Sequence, residues 1–76
     1  MEALVNYDGE DFLCRYFFNI DEQTDGIEVY YLGNGSLVGI INGLTLPDEK
    51  DAESVARFDS EVYVWLTQQD VNYTLG

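Results

Sequence analysis

The feature that most constrains the fold of this chain is an Asp-Gly pair, Asp8–Gly9, between two apolar runs. An Asp-Gly pair in this setting is typical of a β-hairpin, so residues 3–7 and 12–20 are predicted to pair as antiparallel strands. Side chains alternate between the two faces of a strand. On the second strand one face is core-like (Phe12, Cys14, Tyr16, Phe18, Ile20) and the other is mixed (Leu13, Arg15, Phe17, Asn19).

A second hairpin is predicted after the polar stretch 21–26. Residues 27–32 form a third apolar run, and a Gly-Asn-Gly tract at 33–35 follows it. Such a tract supplies the positive-φ positions of a tight turn, which predicts a fourth strand over 36–41. Asn42–Gly43 then closes this strand, although 44–46 could extend it.

The remaining sequence predicts a helix from about 48 to 69. Pro47 suits a first turn, and the carboxylates after it complement the positive end of a helix dipole. At 100° per residue one stripe is apolar (Val55, Phe58, Val62, Trp65, Leu66), while Glu53, Arg57, Ser60 and Thr67 point away. Trp65 is therefore assigned to the core. A strand over 62–67 is the rival, because this hexamer is rich in β-formers and Val64 points outward on the helix.

Together these elements predict an α+β fold, an antiparallel sheet of about four strands with one C-terminal helix packed on one face. Seventy-six residues suffice for one small domain, 1–76. No element remains to cover the second face of the sheet. Depending on register, Leu4, Leu13, Phe17, Tyr30 and Leu32 are then partly exposed, and an apolar patch rimmed by charge is typical of an interaction surface.

The residue content argues against catalysis. The chain has no histidine, one lysine and one cysteine, so Ser-His and Cys-His arrangements are excluded. We predict that it is not an enzyme and that Cys14 is a small buried hydrophobe. The segment 21–26 resembles the start of a calcium loop, but Gln23 and Leu32 occupy two ligand positions of an EF-hand. No metal and no cofactor are expected.

The location expected from the sequence is the cytoplasm. The first residues lack the basic start of a signal peptide, and no apolar run reaches the roughly 18 residues of a membrane span. A single cysteine agrees with a reducing compartment.

The dominant chemical feature is charge: fifteen carboxylates face three basic side chains, for a net charge of -12. Such a surface repels nucleic acid and anionic membranes and is attracted to grooves lined with lysine and arginine. The carboxylates fall into three main clusters, predicted at the first turn, the loop between hairpins and the helix start. With two tyrosines as aromatic anchors, the predicted partner-binding residues are Asp8, Glu10, Asp11, Asp21, Glu22, Asp25, Glu28, Asp48, Glu49, Asp51, Glu53, Tyr30 and Tyr31. Tyr63 is a further candidate anchor.

In size and charge over its whole length, the chain resembles small phage-encoded inhibitors of bacterial defence, which include DNA mimics and anti-CRISPR proteins. The resemblance implies a non-catalytic inhibitor whose acidic surface occupies a nucleic-acid-binding site, such as that of a CRISPR effector complex in a bacterial host. The expected partner is a basic nucleic-acid-binding protein, with no direct binding to nucleic acid or membrane.

Two alternatives stay open at this point, besides a subunit or scaffold piece that binds through its uncovered sheet face with weak dependence on salt. The first is an immunity protein or antitoxin that caps a basic nuclease toxin, where the electrostatics would be the same. The second is a generic acidic module, for example a halophilic one, whose carboxylates only keep it soluble. An exposed sheet edge also leaves a homodimer open.

Overall fold

The computed structural model of the protein describes residues 2–69. It contains four antiparallel strands in one open sheet of order β1-β2-β3-β4, followed by one helix, so the fold is α+β as predicted. The elements are β1 Glu2–Tyr7, β2 Glu10–Asn19, β3 Thr24–Tyr31, β4 Ser36–Asn42 and α1 Ala52–Gln68.

Both predicted hairpins are confirmed. Asp8 and Gly9 join β1 to β2 with φ of 54° and 82°, the pair of positive values that a two-residue hairpin turn requires. Between β3 and β4, Gly35 has a φ of 74° and its N–H donates to the Tyr31 carbonyl over 2.8 Å. The Asn34 side chain accepts from the Ser36 N–H, which is the local bonding typical of a turn residue.

The connection between β2 and β3 is shorter than predicted. Thr24, Asp25 and Gly26 belong to β3 and not to a loop, because the far half of β2 pairs with them through Asn19, Phe18 and Phe17. The turn is therefore confined to residues 20–23, and Gln23 takes a positive φ of 55°. Cross-strand pairing overrides the polar composition of this segment.

The helix begins later than residue 48, which corrects the predicted boundary. Asp51 is its N-cap: its backbone is extended, and its side chain accepts from the Glu53 N–H over 3.0 Å. Asp48 holds a preceding turn, where its side chain accepts from the Lys50 N–H and its carbonyl from the Asp51 N–H. These short acidic side chains bind nearby backbone N–H groups in non-helical conformations and so delay the helix. The rival strand over 62–67 is excluded, since these residues are helical.

The core lies between α1 and one face of the sheet. Phe58, Val62 and Leu66 of the predicted stripe are buried against a sheet layer of Val5, Phe12, Cys14, Ile27 and Val29, and Val64 is exposed, as expected. Trp65 packs against this core over Gly39, where a β-carbon would lie 2.9 Å from its ring. A glycine in β4 thus allows the close approach of the indole.

The prediction that one face of β2 is buried along its whole length is wrong. Phe12 and Cys14 are fully buried, but Tyr16, Phe18 and Ile20 are 40%, 54% and 79% exposed. β1 pairs with β2 only as far as Arg15, so Tyr16 and Phe18 lie beyond the end of β1. Ile20 lies in the turn that follows β2. No helix within residues 2–69 is both long and apolar enough to cross a membrane.

Candidate interaction surface

The face of the sheet opposite α1, called the outer face below, carries an apolar row across all four strands. Register pairs Leu4 with Leu13, Leu13 with Tyr30, and Tyr30 with Leu37. Leu4 and Leu37, at the two ends of the row, are 64% and 49% exposed. Within residues 2–69 no element covers this row, as predicted for Leu4, Leu13 and Tyr30.

Carboxylates flank the apolar row on both sides. On one side a neighbouring row pairs Glu2 with Arg15 and Arg15 with Glu28. On the other side Asp11 pairs with Asn6 and accepts a hydrogen bond from its amide over 3.1 Å. Arg15 Nε lies 3.9 Å from Glu2 Oε2, and both side chains are about half exposed, so this ion pair is weak. Two carboxylates around one guanidinium leave that side negative.

Phe17 and Leu32, the other two residues predicted for the uncovered face, lie outside the apolar row. Phe17 is partly buried opposite Gly26, where its ring lies 3.1 Å from the position of an added β-carbon. Leu32 is 47% exposed, but it follows the end of β3 and lies in the turn.

The first acidic cluster, Asp8, Glu10 and Asp11, lies at one end of the sheet and is divided between its faces. Asp8 is in the turn, and Asp11 belongs to the outer face. Glu10 points the other way, because its carboxylate accepts a hydrogen bond from the hydroxyl of half-buried Tyr31 over 2.8 Å. This cluster therefore presents charge around the rim of the sheet.

The second cluster, Asp21, Glu22, Asp25 and Glu28, begins in the turn at the opposite end of β2. At about 3.3 Å per residue, the ten-residue strand Glu10–Asn19 separates the two ends by about 30 Å. Asp25 lies on the helix side, where it accepts from the Tyr16 hydroxyl over 3.1 Å. Partial desolvation and the Asp25 carboxylate raise the pKa of Tyr16. Glu28 lies on the outer face.

The third cluster, Asp48, Glu49, Asp51 and Glu53, surrounds the start of α1. Two of its members have local structural roles, since Asp48 and Asp51 accept backbone hydrogen bonds. Residues 46–50 also line a shallow depression of about 380 Å³ together with Glu2 and Ala3 of β1. The structure thus brings Glu2, which the sequence reasoning did not select, beside Asp48 and Glu49.

The three candidate tyrosines occupy different surfaces. Tyr30 is on the outer face. Tyr31 is half-buried on the helix side, with its ring 5.5 Å from that of Phe12. Tyr63, on α1, has its ring 4.7 Å from that of Tyr7. Tyr30 and Tyr31 therefore cannot anchor one flat partner together, and Tyr30 is the tyrosine of the apolar row.

Sequence reasoning also missed Leu37 and Ile40, which complete the outer face on β4. Alternation along β4 alone would have misplaced one of them, because an irregularity between Val29 and Tyr30 shifts the register against β4. It brings Leu37 and Ile40 to the same face although their spacing is odd. Gly39 lies at this shift, and an isolated glycine inside a strand is the sequence signal of such an irregularity.

The thiol is buried, and the described carboxylates do not come together as a metal-binding group of three. Cys14 is fully buried, as predicted, and burial followed by the nearby charge of Asp59 raises the pKa of its thiol from 9.0 to about 12. Among residues 2–69, no three His, Cys, Asp or Glu side chains are placed to hold a metal ion. What the arrangement offers instead is an apolar row with carboxylates around it, the anatomy of a protein-binding surface.

Comparison of the chain with protein-family models, with curated proteins and with solved structures finds no match.

Proposed function

We propose that this protein is a non-catalytic inhibitor that occupies the basic, nucleic-acid-binding site of a protein target in the bacterial cytoplasm. A CRISPR effector complex is one target of this class. The observation that carries the proposal is the charge, fifteen carboxylates against three basic side chains. By binding where a phosphate backbone binds, the chain excludes the nucleic acid.

The position of the carboxylates supports this proposal. Apart from Glu10, Asp25 and Glu28, the carboxylate residues within the predicted partner-binding set are exposed, and the described residues 2–69 contain one weak ion pair. Their field is therefore not cancelled within this part of the chain. Such a field accelerates association with a cationic surface and selects against anionic partners.

The separation of the acidic ends also supports the proposal. The first and second clusters lie at opposite ends of β2, about 30 Å apart. One turn of duplex DNA spans about 34 Å. A groove that contacts phosphates over one turn is therefore long enough to engage both ends of the sheet.

The experiment is affinity capture of the partner from a bacterial lysate at about 50 mM salt, followed by binding measurements on the purified pair. We expect the affinity to fall at least about tenfold between 50 and 200 mM salt, because charge pairs dominate. The identity of the partner separates two cases: a nucleic-acid-binding effector supports inhibition, and a nuclease toxin supports an immunity role.

A variant pair tests whether the clusters themselves make the contact. Asp21→Lys with Glu22→Lys reverses two exposed carboxylates and should abolish binding while the fold remains intact by circular dichroism. The control carries four lysines at exposed positions outside the clusters and has the same net charge: Ser36→Lys, Thr45→Lys, Ser60→Lys and Gln68→Lys. Equal binding by both variants would mean that only net charge matters. Unchanged affinity across the salt range would remove the basis for mimicry.

A further inference from the structure

Within residues 2–69, α1 packs on one face of the sheet and no element packs on the outer face. Its apolar row of Leu4, Leu13, Tyr30 and Leu37 crosses four strands, which at about 4.8 Å per step makes it about 14 Å long. On the opposite face of the same sheet, Val5, Phe12, Cys14, Ile27 and Val29 are buried under α1. The flanking rows at Asp11 and Arg15 lie two residues to either side of Leu13, about 13 Å apart at about 3.3 Å per residue, so a helix about 10–12 Å across fits along the row between them.

The spacing of the row also suits a helix. Side chains on one face of a helix recur about every 5.4 Å, once per turn, which is close to the distance between neighbouring strands. A helix lying along the row can thus place one apolar side chain over each strand. A strand would instead pair with β1 or β4, because hydrogen-bonding groups project from the edges of a sheet and not from its face.

The charges around the row determine what kind of helix fits. Asp11 lies on one side, while Glu2 and Glu28 lie on the other with Arg15 between them. A helix along the row therefore meets carboxylates on both of its flanks. Lysine or arginine beside an apolar stripe complements this pattern, and acidic flanks are rejected by it.

A second copy of this chain is a poor occupant. Each copy carries a net charge of -12, and face-to-face packing would bring Glu2, Asp11 and Glu28 of both copies together. Like charges at this distance oppose association. Carboxylates flank the apolar row, and a second copy would place its own carboxylates against them.

We propose that the outer face is the docking surface for an amphipathic α-helix of the partner, apolar along one stripe and rich in lysine and arginine on both flanks. This inference rests on the proposed function and specifies its contact: the helix supplies the cationic groups of the target's nucleic-acid-binding site. The hydrophobic contact lies at Leu4, Leu13, Tyr30 and Leu37, and the charged contacts lie at Glu2, Asp11 and Glu28.

The test uses two synthetic 18-residue peptides with the same leucine and lysine content. One places its leucines at helical i, i+3, i+4 and i+7 spacing with lysines on the flanks, and the other has a scrambled order without a stripe. Binding to the full chain is measured by calorimetry, and the contacted residues are mapped from amide shifts in NMR spectra. We expect the striped peptide to bind at least about tenfold more tightly and to shift outer-face residues.

Matched variants locate the contact. Leu4→Asn with Leu37→Asn changes two exposed leucines of the row and should lower the affinity for the striped peptide at least about tenfold. Ile20→Asn with Val64→Asn changes two similarly exposed apolar residues elsewhere and should have no effect. Equal affinity for both peptides, or equal loss in both variants, would overturn the assignment. A dimer of the chain that only the row variant dissociates would assign the face to a second copy.

These outcomes remain separable from failure of the proposed function. If Asp21→Lys with Glu22→Lys abolishes partner capture while the row variant retains it, the acidic surface binds the target without this helix. If neither variant changes partner capture and the affinity for the partner does not depend on salt, the proposed function fails as well.

Discussion

At the residue scale, the clearest case is the lone thiol. Cys14 lies on β2 with Val29 opposite it, and no part of its side chain is exposed. Burial favours the neutral form of a thiol, and the Asp59 carboxylate adds to this effect, so the pKa rises from 9.0 to about 12. The thiol is therefore a packing group in the native state.

The pKa of Cys14 predicts how stability changes at high pH. Below pH 9 the thiol is protonated in both states, and between pH 9 and 12 only the unfolded chain ionises, so stability falls as pH rises. At pH 10 this group should lower the free energy of unfolding by about 1 kcal/mol. Urea unfolding at pH 8 and pH 10 measures the change. The Cys14→Ala variant should lack this part of the pH dependence, and identical pH dependence in both chains would contradict it.

Burial of individual residues was predictable only where a neighbour covers them. Alternation correctly predicted that Phe12 and Cys14 are buried. The same pattern failed for Tyr16 and Phe18, because the pairing of β1 with β2 stops at Arg15 and leaves them without a neighbour on that side. Periodicity assigns a side chain to a face, but it does not tell which part of that face is covered.

At the element scale, the start of α1 depends on one side chain. Asp51 Oδ1 accepts a hydrogen bond from the Glu53 N–H, one of the backbone donors that lack a partner within the helix. The backbone of Asp51 is extended, as at a typical N-cap. This capping interaction also explains part of the third acidic cluster in purely structural terms.

Replacement of the cap should therefore cost stability. Asp51→Ala is expected to lower the free energy of unfolding by about 1 kcal/mol, measured by urea denaturation. Glu49→Ala removes the same charge from the segment before the helix and should change stability by less than about 0.5 kcal/mol. Equal effects of the two substitutions would show that charge, and not the Asp51 hydrogen bond, controls this end of the helix.

Elements defined by local chemistry were predicted well, and those defined by distant contacts were not. Asp8–Gly9 and the tract 33–35 fix their turns with their own backbone preferences, so both hairpins were predicted. The helical stripe likewise identified α1. The early start of β3 at Thr24 depends on pairing with Asn19, and polar composition conceals it.

At the scale of the whole molecule, repulsion among carboxylates opposes the folded state. The chain has a net charge of -12 within a structure whose longest extents are 33 Å. The screening length is about 30 Å at 0.01 M salt and about 8 Å at 0.15 M. Like charges across the molecule therefore interact at low salt and are screened at physiological salt.

Added salt should consequently stabilise the fold. Between 0.01 and 0.3 M sodium chloride we expect the free energy of unfolding to rise by about 1 kcal/mol, the sum of several like-charge pairs of a few tenths each. In the four-lysine variant at Ser36, Thr45, Ser60 and Gln68 the free energy of unfolding should rise less with salt, because the net charge of this variant is smaller in magnitude. A salt-independent free energy of unfolding would contradict a significant repulsion. Added salt should weaken partner binding while it stabilises the fold, so a loss of binding at high salt cannot be explained by unfolding.

The distribution of charge was predictable from the sequence, but the shape of the site was not. The clusters were predicted at two turns and a helix start. Asp8, Asp21 and Glu22 lie in turns and Asp51 caps the helix, whereas the strands β2 and β3 contain the other members of the first two clusters. The apolar row on the outer face required the register of all four strands, including the shift beside β4. The sequence predicted an exposed apolar patch rimmed by charge that includes Leu4, Leu13 and Tyr30, and the register aligns these residues in one row and adds Leu37 to it.

The most direct test of the account is competition for the partner between this chain and duplex DNA. A fluorescently labelled duplex is bound to the purified partner at about 50 mM salt, and the chain is added while fluorescence anisotropy is followed. We expect the native chain to release the duplex fully and the Asp21→Lys, Glu22→Lys variant to release none. A ternary complex, in which the chain binds the partner while the duplex stays bound, would contradict this expectation.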